Sequence, residues 1–185
     1  MSKVFTALAV SVDGFITGRD PRPGHGLGDG GMLFNWYGDP HNAAVYKELI
    51  GRVGAVVTGR TTYDDSEGFG GGSPHPTAPM IVVSHRPQPR EYAASERQRF
   101  ADSIGSAIRQ ARSLAGDKDV AIQGGATLTG AIESGLVDEV VLHQVPVLLG
   151  AGRHFFGHLT KQVPLTLLDA VAGAGVTHLR YRIEK

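Results

Sequence analysis

Val120-Ala121-Ile122-Gln123-Gly124-Gly125-Ala126-Thr127-Leu128 is the stretch that decides the fold. A short β-branched run stops at a glycine pair, and a helix of apolar period begins at once. This is the turn by which an open α/β sheet presents backbone N–H groups and a helix N-terminus to an anion. Two other runs end in the same manner: Ala55-Val56-Val57-Thr58 at Gly59-Arg60, and Met80-Ile81-Val82-Val83 at Ser84-His85-Arg86. Three strands that each stop at glycine or a cation predict a nucleotide-cofactor site along the carboxyl ends of one sheet.

The rest of the chain fits round that core. Lys3 to Val10 reads as a buried strand, because the apolar run is too short for a signal peptide and contains Thr6. Ser11 to Gly38 is glycine-rich and without period, the composition of a functional lid. Within it Gly26-Leu27-Gly28-Asp29-Gly30-Gly31 satisfies G-x-G-x-x-G, but it follows no strand and is read as flexible loop. Asp39 as N-cap and Pro40 at the first position open a helix with Val45 and Leu49 on one face and Gly51 just past its end. Phe69 to Pro79 reads as loop, and Arg86 to Arg99 is polar and ambiguous. A second helix starts at Asp102 or Ser103, carries Ile104, Ala107, Ile108, Ala111 and Leu114, and closes at Gly116. A third, Ala126 to Ser134, turns Leu128, Ala131 and Ile132 inward and ends at Gly135. Glu139 to Leu149 is an apolar strand, and Leu165 to Val171 with Val176 to Ile183 form a hairpin. Alternating strands and helices followed by strands alone predict a mainly parallel sheet with an antiparallel edge.

Composition sets the bounds. A chain of 185 residues is read as one domain, 1–185. Eighteen Lys plus Arg balance eighteen Asp plus Glu, which leaves no basic excess to bind nucleic acid or an acidic membrane. With no cysteine there is no disulfide or thiolate site, in keeping with a cytoplasmic location. His154 and His158 stand four apart, but with Gly157 between them and no carboxylate nearby no metal site is assigned. There is no G-x-S-x-G elbow and no Walker-type loop, so hydrolase and kinase chemistry are not expected.

Gly124 and Gly125 let a pyrophosphate approach the main chain, and Thr127 adds a hydroxyl. In Gly59-Arg60-Thr61-Thr62 a guanidinium fork and two hydroxyls suit phosphate, and Arg86 is a second cation that favours the 2′-phosphate of NADP over NAD.

Ala7-Leu8-Ala9-Val10-Ser11-Val12-Asp13-Gly14-Phe15-Ile16-Thr17, Gly59-Arg60-Thr61-Thr62, Gln123 to Leu128, Gly135-Leu136-Val137-Asp138-Glu139-Val140 and Pro146-Val147-Leu148-Leu149-Gly150 together resemble the dihydrofolate reductase-like superfamily. Within it the chain is most similar to the C-terminal reductase domain of the bifunctional riboflavin-biosynthesis deaminase/reductase and its stand-alone bacterial relatives. The resemblance implies a three-layer α/β/α sandwich, NADPH-dependent hydride transfer and a homodimer. It places Ala9 and Ile16 beside the nicotinamide, Gly59, Arg60, Thr61, Thr62, Ser84, His85 and Arg86 on the adenosine phosphate, and Gly124, Gly125, Ala126, Thr127 and Leu128 on the pyrophosphate.

Two departures stand out. Where riboflavin-pathway reductases carry a glutamate before the glycine loop, this chain has Gln123, a candidate substrate contact. The folate enzymes carry a buried acid after a tryptophan; Trp36 and Asp39 are the nearest match, with Trp36 a candidate substrate contact and Asp39 either that acid or the helix N-cap. Asp13 is a candidate for proton delivery or a turn residue before Gly14. The expected activity is reduction of a small heterocycle or sugar-linked imine such as the ribosylaminopyrimidine of riboflavin synthesis; the alternatives are an NADP(H)-binding or sensing protein and a folate-type reductase.

Overall fold

The protein is described by a computed structural model covering residues 2–185. Those residues form one eight-stranded sheet from β1 (Val4–Ser11), β2 (Val53–Gly59), β3 (Met80–Val83), β4 (Gln98–Ala101), β5 (Asp119–Ile122), β6 (Glu139–Val145), β7 (Leu165–Gly173) and β8 (Val176–Ile183). The order is β4-β3-β2-β5-β1-β6-β8-β7. The first six strands of that order run parallel, and β8 and β7 add an antiparallel hairpin at one edge. Four helices complete the layers: α1 (Ala43–Arg52), α2 (Arg60–Asp65), α3 (Ile104–Ala115) and α4 (Ala126–Glu133).

Strand alternation sorts the core into two faces. Val4 and Val10 of β1 and Ala55 and Val57 of β2 share a cluster with Ala107, Ile108 and Ala111 of α3 and Leu128 and Ala131 of α4. Phe5, Val53 and Val56 turn to the opposite face, where Leu49 of α1 packs. Burying a side chain such as Ile108 or Leu128 stabilises the domain by ~1.5–3 kcal/mol. The alanines of α3 bring its axis close to the sheet, and a Cβ on Gly54 of β2 would lie 2.7–2.8 Å from Ala115. The expected three-layer α/β/α sandwich with a mixed sheet is the observed fold.

Element boundaries depart from the sequence reading where tertiary partners intervene. β4 rises from the ambiguous polar stretch: Gln98 is buried because its amide donates to the carbonyls of Gly68 (2.6 Å) and Gly72 (2.9 Å) and accepts from the Tyr63 hydroxyl (3.1 Å). Helix α1 runs through Gly51 to Arg52, whose guanidinium is anchored to Asp119 and Glu139. Strand β6 stops at Val145 because Pro146 has no N–H for the ladder. α2 follows directly on Gly59, where no separate helix was predicted. The third helix and the hairpin stand where they were expected, and among the described residues no helix is long and apolar enough to cross a membrane.

Candidate functional site

The carboxyl ends of β1, β2 and β5 lie side by side in the sheet, and three connected hollows open over them. A trough of about 750 Å³ is floored by Gly59 to Thr62 on one side and Gly124 to Thr127 on the other, with Arg153, His154 and His158 along its rim. It adjoins a central cleft of about 470 Å³ through Ile16, Thr62, Gly124 and Arg153. The central cleft in turn meets a third pocket, of about 340 Å³, at Leu8, Phe34 and Gln123.

The trough is built from glycine where side chains would close it. Gly125 has φ +73° and ψ −148°, a conformation that strains any L side chain. A Cβ on Gly124 would lie 3.0 Å from Leu8 and 3.3 Å from the carbonyl oxygen of Phe155, and one on Gly59 would overlap the Thr127 hydroxyl. Helix α2 therefore starts hard against the start of α4. No side chain caps either N-terminus among the described residues, so the first-turn N–H groups of both are free for an anion. Thr129 fastens the segment by donating to the Gly125 carbonyl and accepting from the Gly157 amide.

Arg60 lines this trough and is aimed by three contacts: its Nε donates to Asp64 (2.7 Å), and its Nη1 to Ser84 Oγ (3.3 Å) and the Pro87 carbonyl (3.1 Å). Asp64 also accepts from Arg86 (2.6 Å). Burial alone would raise the Asp64 carboxyl, but the hydrogen bonds from Arg60 and Arg86 outweigh it and hold the group below its usual range. Asp64, which sequence reasoning passed over, thus ties the second strand end to the third. Ser84 reaches the trough through Arg60, while His85 and Arg86 lie exposed beside it. Trough residues among those described include Arg60, Arg153 and two histidines and no carboxylate, so the donor set and the glycine cradle fit a pyrophosphate-bearing nucleotide.

Ala9, Ile16, Gly124 and Gln123 line the central cleft. Leu128 does not reach either hollow with its side chain, which is fully buried in the core, so its main chain alone is available. The resemblance had placed Trp36 on substrate; the structure buries it in the core (2% exposed), against His143 and His178. Asp39 caps a 3-10 turn, accepting from the His41 amide (2.8 Å) and ring (2.9 Å), and lines none of the three hollows. Asp13 is a clamp. Its carboxylate accepts from Ser11 Oγ (2.5 Å) and from the amides of Leu149 (3.1 Å) and Gly150 (2.7 Å). The Ser11 hydroxyl is the main cause that holds its pKa at about 2, which leaves it ionised and without a proton to give.

The carboxylates that do line the central cleft are Asp65 and Glu67. Asp65 is buried and paired with Arg153. Glu67 and Phe69 hold left-handed φ of +48° and +52°, strain of ~1–3 kcal/mol per residue, in the wall of the cleft. The lid also contributes: the Gly18 amide bonds the Leu27 carbonyl (2.8 Å), which folds the G-x-G-x-x-G segment down so that Gly26 and Leu27 line the cleft. A signal for Arg153 was present, since Gly150-Ala151-Gly152-Arg153 repeats, beyond β6, the glycine-then-cation pattern of Gly59-Arg60.

With that geometry in view, comparison with known proteins is direct. Residues 2–179 match the model of the RibD C-terminal domain family. The chain is 25% identical over 180 residues, 97% of each chain, to the uncharacterized protein YwjB of Bacillus subtilis (strain 168). Among solved structures it superposes on a candidate riboflavin biosynthesis protein from Shewanella sp. PV-4 with a TM-score of 0.76, at 22% identity and 100% coverage of both chains. It also superposes on dihydrofolate reductase from Enterococcus faecalis, complexed with NADP(H) and RAB-propyl, with a TM-score of 0.66, at 18% identity, covering 99% of this chain and 97% of that one. The order of the strands, the glycine-built trough at their carboxyl ends and a family match across nearly the whole length agree: this chain belongs to the RibD C-terminal domain family, a reductase-type domain.

Proposed function

We propose that the protein is an NADPH-dependent reductase acting on a C=N or C=O bond of a small heterocyclic or sugar-imine substrate, of the riboflavin-pathway type. The observation that carries this reading is the pair of uncapped helix N-termini, α2 and α4, brought together over Gly59 and Gly125 beside Arg60. The family and the NADP(H) complex of the folate enzyme with the same fold support it. When bound, NADPH would supply a hydride, one hydrogen nucleus with two electrons, to the substrate carbon, and a proton from an acid or water would complete the product.

The chain's own part is to bind, orient and exclude water. The amides at the start of α2 and α4 and the Arg60 guanidinium would hold the phosphates. Ala9, at 3% exposure, and Ile16 would press the nicotinamide from the sheet and the lid. Arg153, locked to Asp65 and donating its backbone amide to Thr17 Oγ1 (2.9 Å), would keep the lid seated over the junction of trough and cleft. A homodimer belongs to the same reading: β7 is the outer edge strand and exposes Leu165 and Leu167 on the face of Ile183 and Val171 on the face of His178, so a second copy would pair along its free edge.

The test is a fluorescence titration of NADPH and NADH against wild type, Arg60→Ala and Arg86→Ala. NADPH should bind more tightly than NADH. Arg60→Ala should weaken NADPH by ~1–3 kcal/mol, the worth of a charged hydrogen bond. The more exposed Arg86 should cost less. Binding of neither nucleotide would sink the reading. A second reading, a protein that binds NADP(H) with little turnover, draws on the placement of Asp13 and Asp39 away from any proton-donating position; cofactor oxidation with candidate substrates separates the two.

A further inference from the structure

The third pocket differs in kind from the trough. Its walls are Phe5, Val56, Leu49 and Ile50 with the rings of Phe34, Tyr37 and Tyr46, and among the described residues no lysine, arginine, aspartate or glutamate lines it. Arg52 packs on the Phe5 ring, 3.9 Å from its centroid, with its guanidinium committed to Asp119 (2.7 and 2.9 Å) and Glu139 (3.1 Å), and Arg97, which reaches the His75 carbonyl, is held by the Ala78 carbonyl as well. His75, also in the wall, has both ring nitrogens engaged: Nδ1 accepts from the Thr77 and Ala78 amides, so Nε2 is the donor to the Ile50 carbonyl. Burial pushes the Tyr37 phenol up to about 12, which keeps it neutral. A phosphate seated here would lose water and gain no cation. The central cleft gives no excess of positive charge either, for its one arginine, Arg153, shares the lining with two carboxylates, Asp65 and Glu67, whereas no carboxylate lines the trough among the described residues.

Among the described lining residues, one side chain carries a polar atom that is both buried and without a partner. Gln123 lines both the pocket and the central cleft, and its Oε1 is buried with no hydrogen-bond partner among the described residues. A primary amide presents one acceptor and one donor edge, whereas a carboxylate presents acceptors alone. The amide therefore matches a lactam edge, N–H beside C=O, and a carboxylate there would match an amidine-like edge of two donors. The volume fits the rest: a cavity of ~150 Å³ holds one benzene, so about 340 Å³ takes a flat system of two rings.

We propose that the pocket walled by Phe34, Tyr37 and Tyr46 takes an uncharged, phosphate-free bicyclic nitrogen heterocycle whose lactam edge pairs with the Gln123 amide. The inference rests on the reductase reading for calling this ligand the substrate, but the pocket's preference stands on its own geometry. It separates this chain from enzymes whose substrate carries a sugar phosphate into the same cleft, and it makes Gln123 the residue that sets specificity.

Three probes test it by calorimetry, with and without saturating NADPH: quinazolin-4(3H)-one, its 6-phosphonomethyl derivative, and quinazoline-2,4-diamine. Wild type should bind the neutral lactam at least tenfold more tightly than the phosphonate and more tightly than the diamine. Gln123→Glu should reverse the lactam-over-diamine preference by tenfold or more, and a cooperative urea-unfolding transition like that of wild type certifies that the variant is folded. Equal or tighter binding of the phosphonate, no binding of the lactam, or an unchanged preference in Gln123→Glu would overturn the proposal. Lactam binding without NADPH binding would refute the reductase reading and leave the pocket inference standing; NADPH binding without lactam binding would do the reverse.

Discussion

Lowering the pH from 7.5 to 5 should destabilise this protein through one pair of buried rings. His143 of β6 and His178 of β8 are direct cross-strand neighbours, 0% and 6% exposed, with their Nδ1 atoms 2.8 Å apart and both rings against Trp36. One ring must donate across that bridge and the other accept. A further proton can enter without breaking the bridge only at the outer Nε2 of the donating ring, and both Nε2 atoms are buried without a partner among the described residues. Burial first, and then the charge of His178, pushes His143 down to about 3; burial lowers His178 as well. An unfolded imidazole takes up its proton near pH 6.5. As pH falls through the window from 6.5 to about 3, the unfolded chain therefore binds protons that the folded chain refuses, and stability is lost toward acid. At ~1.4 kcal/mol per pH unit, His143 alone should cost about 2 kcal/mol by pH 5, with His178 adding to it in the same direction. Carboxylates contribute little above pH 5, so the window isolates the histidines. The assay is urea unfolding at pH 7.5, 6.5, 5.5 and 5.0 on wild type and His143→Gln. A loss of stability with falling pH that is smaller in the variant by His143's share, about 2 kcal/mol at pH 5, is the expected result. A flat profile in wild type, or the same slope in both proteins, would refute the reasoning.

Other expectations follow from the backbone. Gly125→Ala places a side chain at φ +73°, ψ −148°, and should cost ~1–3 kcal/mol in thermal or urea unfolding together with a weaker NADPH titration. Gly54→Ala, whose Cβ would meet Ala115 at 2.7–2.8 Å, should destabilise by ~1–3 kcal/mol because α3 must move off the sheet. Its effect on NADPH affinity should be small, since neither residue lines the trough. Asp13→Ala should speed amide hydrogen exchange at Leu149 and Gly150, the two amides its carboxylate accepts from, and unchanged exchange there would show that the clamp does not hold in solution.

The parts of this protein that were legible in the sequence are those fixed by neighbours along the chain. Gly124-Gly125 before an apolar-periodic helix, Ser103 and Gly116 bracketing α3, and the hairpin round Ala172 to Gly175 each follow from local rules of capping, turn geometry and period, and the structure places them as expected. The proposed anion-facing half of the site belongs to this class, because a turn that suits phosphate is a property of the turn and the helix after it. Gln98 shows the opposite case. A polar residue became a buried strand position because carbonyls some thirty residues away accept from its amide, and no local pattern carries that information.

The same limit divides the site. Asp13 and Asp39 look in sequence like candidate acids, yet one clamps the Leu149-Gly150 turn and the other caps its own helix approach, roles set by which amides lie within reach. Trp36 stands near the expected position for a substrate contact, but it packs in the core against a histidine pair that only strand pairing brings together. The pocket proposed for a heterocycle gathers residues from β1, the lid, α1, β2, the loop before β3 and β5, and the lack of charge among its described lining residues is a property of that assembly alone. Sequence by itself determined a mainly parallel sheet with an antiparallel edge and the glycine turns that suit a nucleotide, since these depend on periodicity and local backbone freedom; the three layers came with the family resemblance, and the order of the strands came from the structure. Tertiary structure decided which carboxylates are spent on structure, which amide is left free and what shape of ligand it meets, because these depend on through-space desolvation and hydrogen-bond pairing between segments far apart in the chain.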